Sequence, residues 1–119
     1  MARPPAATAN LLDGVPADLP AERFETLLSR PGVRIERIVS RGHASPPGFW
    51  YDQETHEWVL LLRGAARLRF EGEDPIEMTP GSYVHIPARR RHRVEWTDPQ
   101  GTTVWLAVHY SAGSSEQPP

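Results

Sequence analysis

The chain has 119 residues, 39% apolar and 24% charged, with a formal net charge of −2. That length gives one domain with one modest core, and the charge balance argues against a nucleic-acid binder. All thirteen basic residues are arginine and there is no cysteine, which excludes disulfides, thiolate metal sites and lysine Schiff-base chemistry. No apolar run approaches the roughly 18 residues of a membrane span. Met1–Asn10 lacks the apolar centre of a secretory signal. The expectation is a soluble, cytoplasmic protein that does not engage membranes or nucleic acid.

Residues 1–10 are Ala/Pro-rich and residues 111–119 are Ser/Gly/Pro-rich, so both read as disordered tails. Residues 11–32 read as a short N-terminal helical segment. Asp18 can cap it, Pro20 suits its first turn, Phe24, Leu27 and Leu28 form an apolar stripe, and Pro31-Gly32 ends it. From residue 33 to 110 the signals are strands and turns. The expected strands are Val33–Ser40, Phe49–Gln53, Glu57–Arg63, Ala65–Glu71, Ile76–Met78, Ser82–Pro87, His92–Trp96 and Thr103–Tyr110. Leu68 and Phe70 alternate with Arg67 and Arg69, the pattern of a half-buried strand. Trp58–Leu62 is apolar on both faces, as in a strand covered on both sides. Short strands at this spacing predict a sandwich or barrel.

Two spacings carry chemistry. In the first, six residues separate Glu57 from Gly64. In the second, Gly81 is followed after five residues by Pro87 and after four more by His92. Sixteen residues lie between the two glycines. In this the chain resembles the cupin superfamily over about Val33 to Tyr110, in the manner of a compact bacterial cupin. The first cupin motif is His-x-His, a short gap, Glu, six residues, Gly; the second is Gly, five residues, Pro-x-Gly, two residues, His. The resemblance implies an all-β fold, a double-stranded β-helix (jelly-roll) barrel, here with the short N-terminal helix. It also implies that Glu57 and His92 are two ligands of a central ion. The paired histidines of the first motif are replaced by Tyr51 and Gln53, the second-motif glycine by Arg89, and its final Asn by Trp96.

Tyr51, Gln53 and Glu57 have one parity, so an extended chain puts them on one face. With His92 nearby, that face offers imidazole, carboxylate, amide and phenol. Divalent Zn, Mn, Fe or Ni accepts such donors; without an ion, the same groups make a water-filled polar network. The expected metal ligands are therefore Gln53, Glu57 and His92, with Tyr51 as the catalytic residue that orients or protonates substrate. Tyr51, His109, Arg89 and Arg91 are the expected ligand-binding residues. The arginines form a basic rim for an anionic small molecule, or else a solvated loop. His85 is expected to face outward or into a subunit contact, His56 to lie in a loop, and His43 in a loop that could lid the pocket. Two functions follow: a metal-dependent small-molecule enzyme of oxygenase or isomerase type, or a non-catalytic ligand-binding or sensor domain with a degenerate metal site. An open barrel of this size can also pair through an edge strand as a homodimer.

Overall fold

A computed structural model describes residues 7–112. The residues of the two expected tails outside that range are not described; residues 7–10 carry no regular structure. Eight strands follow in chain order: β1 (Arg23–Arg30), β2 (Val33–Ser40), β3 (His56–Arg63), β4 (Ala66–Phe70), β5 (Ile76–Met78), β6 (Tyr83–Ile86), β7 (His92–Thr97) and β8 (Thr103–Tyr110). They form a five-stranded sheet in the order β1-β2-β8-β3-β6 and a three-stranded sheet in the order β5-β4-β7. All pairings are antiparallel. Val59 and Leu61 of β3, Ala66, Leu68 and Phe70 of β4, Met78, Ile86, Trp105 and Ala107 form the core between the sheets. The alternation expected in β4 holds: Leu68 and Phe70 are buried, while Arg67 is exposed and Arg69 half-exposed.

One expectation is corrected at the N-terminal side. The segment that resembles a helix is β1, paired antiparallel with β2 from Arg23↔Val39 to Arg30↔Val33. Pro31-Gly32 is the two-residue turn of that hairpin, with Gly32 at φ +81°. The helix loses because a segment this short gains little cooperative stability alone, whereas β2 offers it a full ladder of partners. Its stripe is not a buried face: Phe24 is 53% exposed and Leu27 48%. The register shift between Thr26 and Leu28 is a bulge that breaks strict alternation.

A second correction concerns Phe49–Gln53, which forms no strand. Tyr51 alone makes a β-bridge, to His92, with Tyr51 N donating to His92 O at 2.7 Å. Conversely, His56 opens β3 and is not a loop residue. Trp58, Leu60 and Leu62 are only half-buried, so the outer face of β3 is not fully covered within the chain.

Two turns fix the motif glycine positions. Gly64 sits at φ +94°, and a Cβ there would run into the Thr103 side chain and lie 2.7 Å from its Cα. No side chain fits. Arg89 sits at φ +66°, the only non-glycine residue with positive φ among the described residues. The backbone thus keeps the left-handed conformation of the motif glycine although the residue is arginine.

Candidate functional site

The two sheets leave a cavity of about 220 Å³ between them. Its floor is apolar: Val59, Leu68, Ile86 and Val94 line it. Its polar wall is built by strand register. Arg34, His109, Glu57 and Ile86 are successive cross-strand partners on β2, β8, β3 and β6, so they form one row across the large sheet. Glu36 lies two residues along β2 from Arg34, on the same face. His92 comes from the small sheet, and the bridge to His92 carries Tyr51 to the cavity.

Glu57 and His92 converge as the motif spacing implies. Glu57 Oε1 and His92 Nε2 stand 3.7 Å apart, and the two side chains are 9% and 5% exposed. Burial pushes the Glu57 carboxyl up to about 7, against a smaller lowering by a hydrogen bond from Gln53. Burial also lowers His92, opposed by its bond to the Arg90 carbonyl. That bond fixes the ring. A carbonyl only accepts, so His92 Nδ1, 2.8 Å from Arg90 O, carries the proton and Nε2 presents its lone pair. The Tyr51 ring stacks on His92 with centroids 5.3 Å apart and planes at 24°. Its phenol is held above the usual range, first by burial and then by Glu22 and Glu57.

Gln53 lines the same cavity, and its Oε1 is buried without a hydrogen-bond partner. His109 Nε2 lies 3.0 Å from Glu36 Oε1. The His109 pKa is lowered, by burial first and by Arg34 next, against the pull of Glu36. Tyr51, Gln53, Glu57, His92 and His109 are therefore brought together.

The arginines are not. Neither Arg89 nor Arg91 lines the cavity. Arg89 reaches Asp52 and Glu54, each at 3.4 Å, and Arg91 reaches Glu71 at 3.2 Å. Arg90 pairs with Glu73. The run serves the site through its main chain instead: Arg89 N donates to Gln53 O at 2.7 Å, and Arg90 O holds His92. His85 is exposed as expected, its Nε2 2.6 Å from Tyr110 Oη. His43 does not line the cavity; its Nδ1 accepts from Arg41 N in the loop.

Glu22, Arg34, Glu36 and Trp105 also line the cavity and were not singled out from sequence. In β2 the apolar residues Ile35 and Val39 alternate with Arg34 and Glu36, so period alone assigns the wrong set to the interior. The register with His109 reverses that assignment.

The donor set bears on a metal. Two ligands of one ion at roughly 2.0–2.2 Å each can stand 3.7 Å apart, as these do. The bare Nε2 of His92, the Glu57 carboxylate and the unpartnered Gln53 oxygen together fit a divalent ion. Among the described residues no group of three His, Cys, Asp or Glu side chains converges, so a third protein donor would have to be the neutral amide of Gln53.

Residues 38–109 match the family model of the cupin domain. The chain belongs to the cupin family. A crystal structure from Ralstonia eutropha JMP134, provisionally described as a mannose-6-phosphate isomerase, is similar at 51% identity and a TM-score of 0.87; the match covers 90% of this chain and all of that one. A conserved Streptococcus pyogenes protein of unknown function is similar at 16% identity and a TM-score of 0.73, covering 94% of this chain and 93% of that one. An RmlC-like cupin with a double-stranded β-helix fold from Methanocaldococcus jannaschii is similar at 20% and 0.64, covering 79% and 84%. These last two likenesses speak to fold alone. No functionally curated protein matches the chain. Among the described residues no helix is long and apolar enough to cross a membrane.

Proposed function

We propose that this cupin is a small-molecule enzyme of the isomerase type, working inside the barrel with a divalent ion held by Glu57, His92 and Gln53. One observation carries the reading: two buried ionisable groups, one from each sheet, face each other at 3.7 Å beside a buried amide oxygen without a partner. The relative from Ralstonia eutropha, described as an isomerase, supports the reaction class.

A bound ion of this kind supplies Lewis-acid polarisation of a substrate oxygen. The chain's own residues do the rest. Arg90 O keeps the His92 lone pair turned to the cavity. Gln53 donates to Glu57, which orients the carboxylate. Tyr51, protonated at neutral pH, is placed to give a hydrogen bond or a proton to substrate. The apolar floor limits water around the reacting group. The absence of a third ionisable donor among the described residues favours one competing reading, a ligand-binding domain without turnover.

The test is chelator treatment followed by reloading with Zn, Mn, Fe or Ni and elemental analysis. One equivalent retained by the natural protein, and lost in both Glu57→Gln and His92→Gln, is the expected result. No retention of any of the four ions would defeat the metal-dependent reading. Retention with no isomerisation of any small polyhydroxy carbonyl compound would favour the binding domain.

A further inference from the structure

The large sheet turns Val59, Leu61, Trp105 and Ala107 to the core, so the residues between them face outward. Strand register sets those outward side chains in rows. Ile35, Val108, Trp58 and His85 are successive cross-strand partners on β2, β8, β3 and β6. Arg37, Leu106, Leu60 and Tyr83 form the next row. Arg37 is the only charge in these rows, and it is buried and engaged by its own chain, through Glu25 and the carbonyls of Leu11 and Asp13. Further along the same face Val39 and its partner Val104 are both 0% exposed, so that end is covered within the chain. The other end is not. Tyr83 is 67% exposed, and Ile35, Val108, Trp58, Leu60 and Leu106 are only half-buried. The Trp58 and Tyr83 rings already rest on each other, centroids 5.6 Å apart, so the surface is ordered before anything binds it.

The small sheet treats its outer face differently. Arg67 pairs there with Glu77 at 2.6 Å, and Arg69 and Arg93 both pair with Glu95 at 3.3 Å. That face is built for water; the apolar one is not. The chain ends outside the described residues cannot cover it, because residues 1–6 and 113–119 contain no aromatic residue and no Leu, Ile or Val. A different protein would be selected by charges complementary to its own, and the exposed part of these rows offers none. A second copy needs no such complement, since a two-fold axis sets the same surface against itself and an apolar face meets an apolar face. The size agrees. Four strands about 4.8 Å apart and about six residues of roughly 3.4 Å rise make a flat area of about 400 Å². Two such faces, with side chains standing up from each sheet, reach the roughly 1,000 Å² that a specific interface clears.

We infer that the outer face of the large sheet, centred on Trp58, Leu60, Leu106 and Tyr83, is where a second copy of this chain docks, sheet face against sheet face about a two-fold axis. The cavity lies on the opposite face of the same sheet, so the pairing leaves its lining untouched and stands or falls independently of the proposed reaction. It also differs from pairing through an edge strand, because β3 and β8 are interior strands of the sheet.

The experiment is sedimentation equilibrium of the full chain from roughly 5 to 500 μM, the range over which a micromolar complex forms and dissociates, with the Trp58 indole N–H followed by NMR. A reversible dimer is expected, with the Trp58 signal moving as it forms. Tyr83→Glu is expected to raise the dissociation constant at least tenfold. The Tyr83 side chain is 67% exposed, so the substitution spares the core while bringing charge into the paired faces. Leu60→Glu, on interior strand β3, is expected to do at least as much; if its melting curve shows that it does not fold, Tyr83→Glu and the Trp58 signal decide. Arg67→Glu, on the outer face of the small sheet, is expected to leave the constant within about twofold, since an exposed charge away from the contact contributes little. A monomer throughout the range would overturn the inference. So would a dimer that keeps its affinity in Tyr83→Glu, a Trp58 signal indifferent to concentration, or an Arg67→Glu chain weakened as much as Tyr83→Glu.

Discussion

The arginine loop from Arg89 to Arg91 and the cavity wall of Glu57, His92 and His109 are adjacent in the chain or in space, yet they use charge in opposite ways. The loop holds three consecutive arginines, and their side chains point at carboxylates on the surface: Asp52, Glu54, Glu71 and Glu73. Exposed pairs of this kind contribute little. The wall has few charges, but they are buried, and burial moves the Glu57 carboxyl to about 7. Solvent access, not the count of ionisable residues, decides where chemistry can occur. The two regions meet only through main-chain bonds from Arg89 and Arg90 to Gln53 and His92.

Changes on the wall are therefore expected to dominate. His92→Ala removes a direct ligand and is expected to weaken binding of a divalent ion by more than the 10–100-fold typical of outer-shell partners, measured by competition with a chelating dye. A loss of that size from Arg91→Ala would erase the distinction between wall and loop.

The second expectation is a pH dependence of the metal-stripped protein. Glu57 titrates near 4.5 when unfolded and at about 7 when folded, so the folded state binds its proton more tightly. Its contribution is fully present below pH 4.5 and is lost as pH rises to about 7. The loss is roughly 3 kcal/mol at most. His92 and His109, both lowered by burial, act oppositely: stability falls as pH drops below 6.5. Glu57→Gln is thus expected to raise the melting temperature by several degrees at pH 8 and hardly at pH 4. Equal shifts at both pH values would show that solvation of the carboxylate is not what burial penalises.

A smaller effect is expected at Arg89. Its φ of +66° costs a residue with a Cβ about 1 kcal/mol, partly offset by the extra chain entropy that glycine loses on folding. Arg89→Gly is expected to be more stable than Arg89→Ala by up to about 1 kcal/mol in urea titrations, since both lose the same ion pairs. A reversed order would mean the left-handed turn is not what matters there.

The smallest effect belongs to Arg91. Arg91→Ala is expected to change stability by no more than about 0.5 kcal/mol and to leave the affinity for any ligand of the cavity unaltered, because the guanidinium faces Glu71 on the surface. A salt-dependent loss of ligand binding would return the loop to the site.

Much of this was legible in the sequence, for identifiable reasons. Short Val/Leu/Trp-rich runs bounded by Gly and Pro turns determined β2 to β8 within a residue or so, because strand period and turn chemistry are local properties. The spacing of Glu57 to Gly64 and of Gly81 to His92 selected the two buried groups that converge, because turn glycines such as Gly64 tolerate no side chain and so pin the motif to the fold. Other features were decided only by tertiary structure. Phe24, Leu27 and Leu28 have helical spacing, but β2 supplies a ladder that no local pattern announces. Phe49–Gln53 has strand composition, but only Tyr51 finds a β-bridge partner. Glu36 and Trp105 reach the cavity because β2 and β8 pair in one register, and register is a relation between distant segments: a slip of one residue would turn Arg34 and Glu36 outward and Arg37 inward.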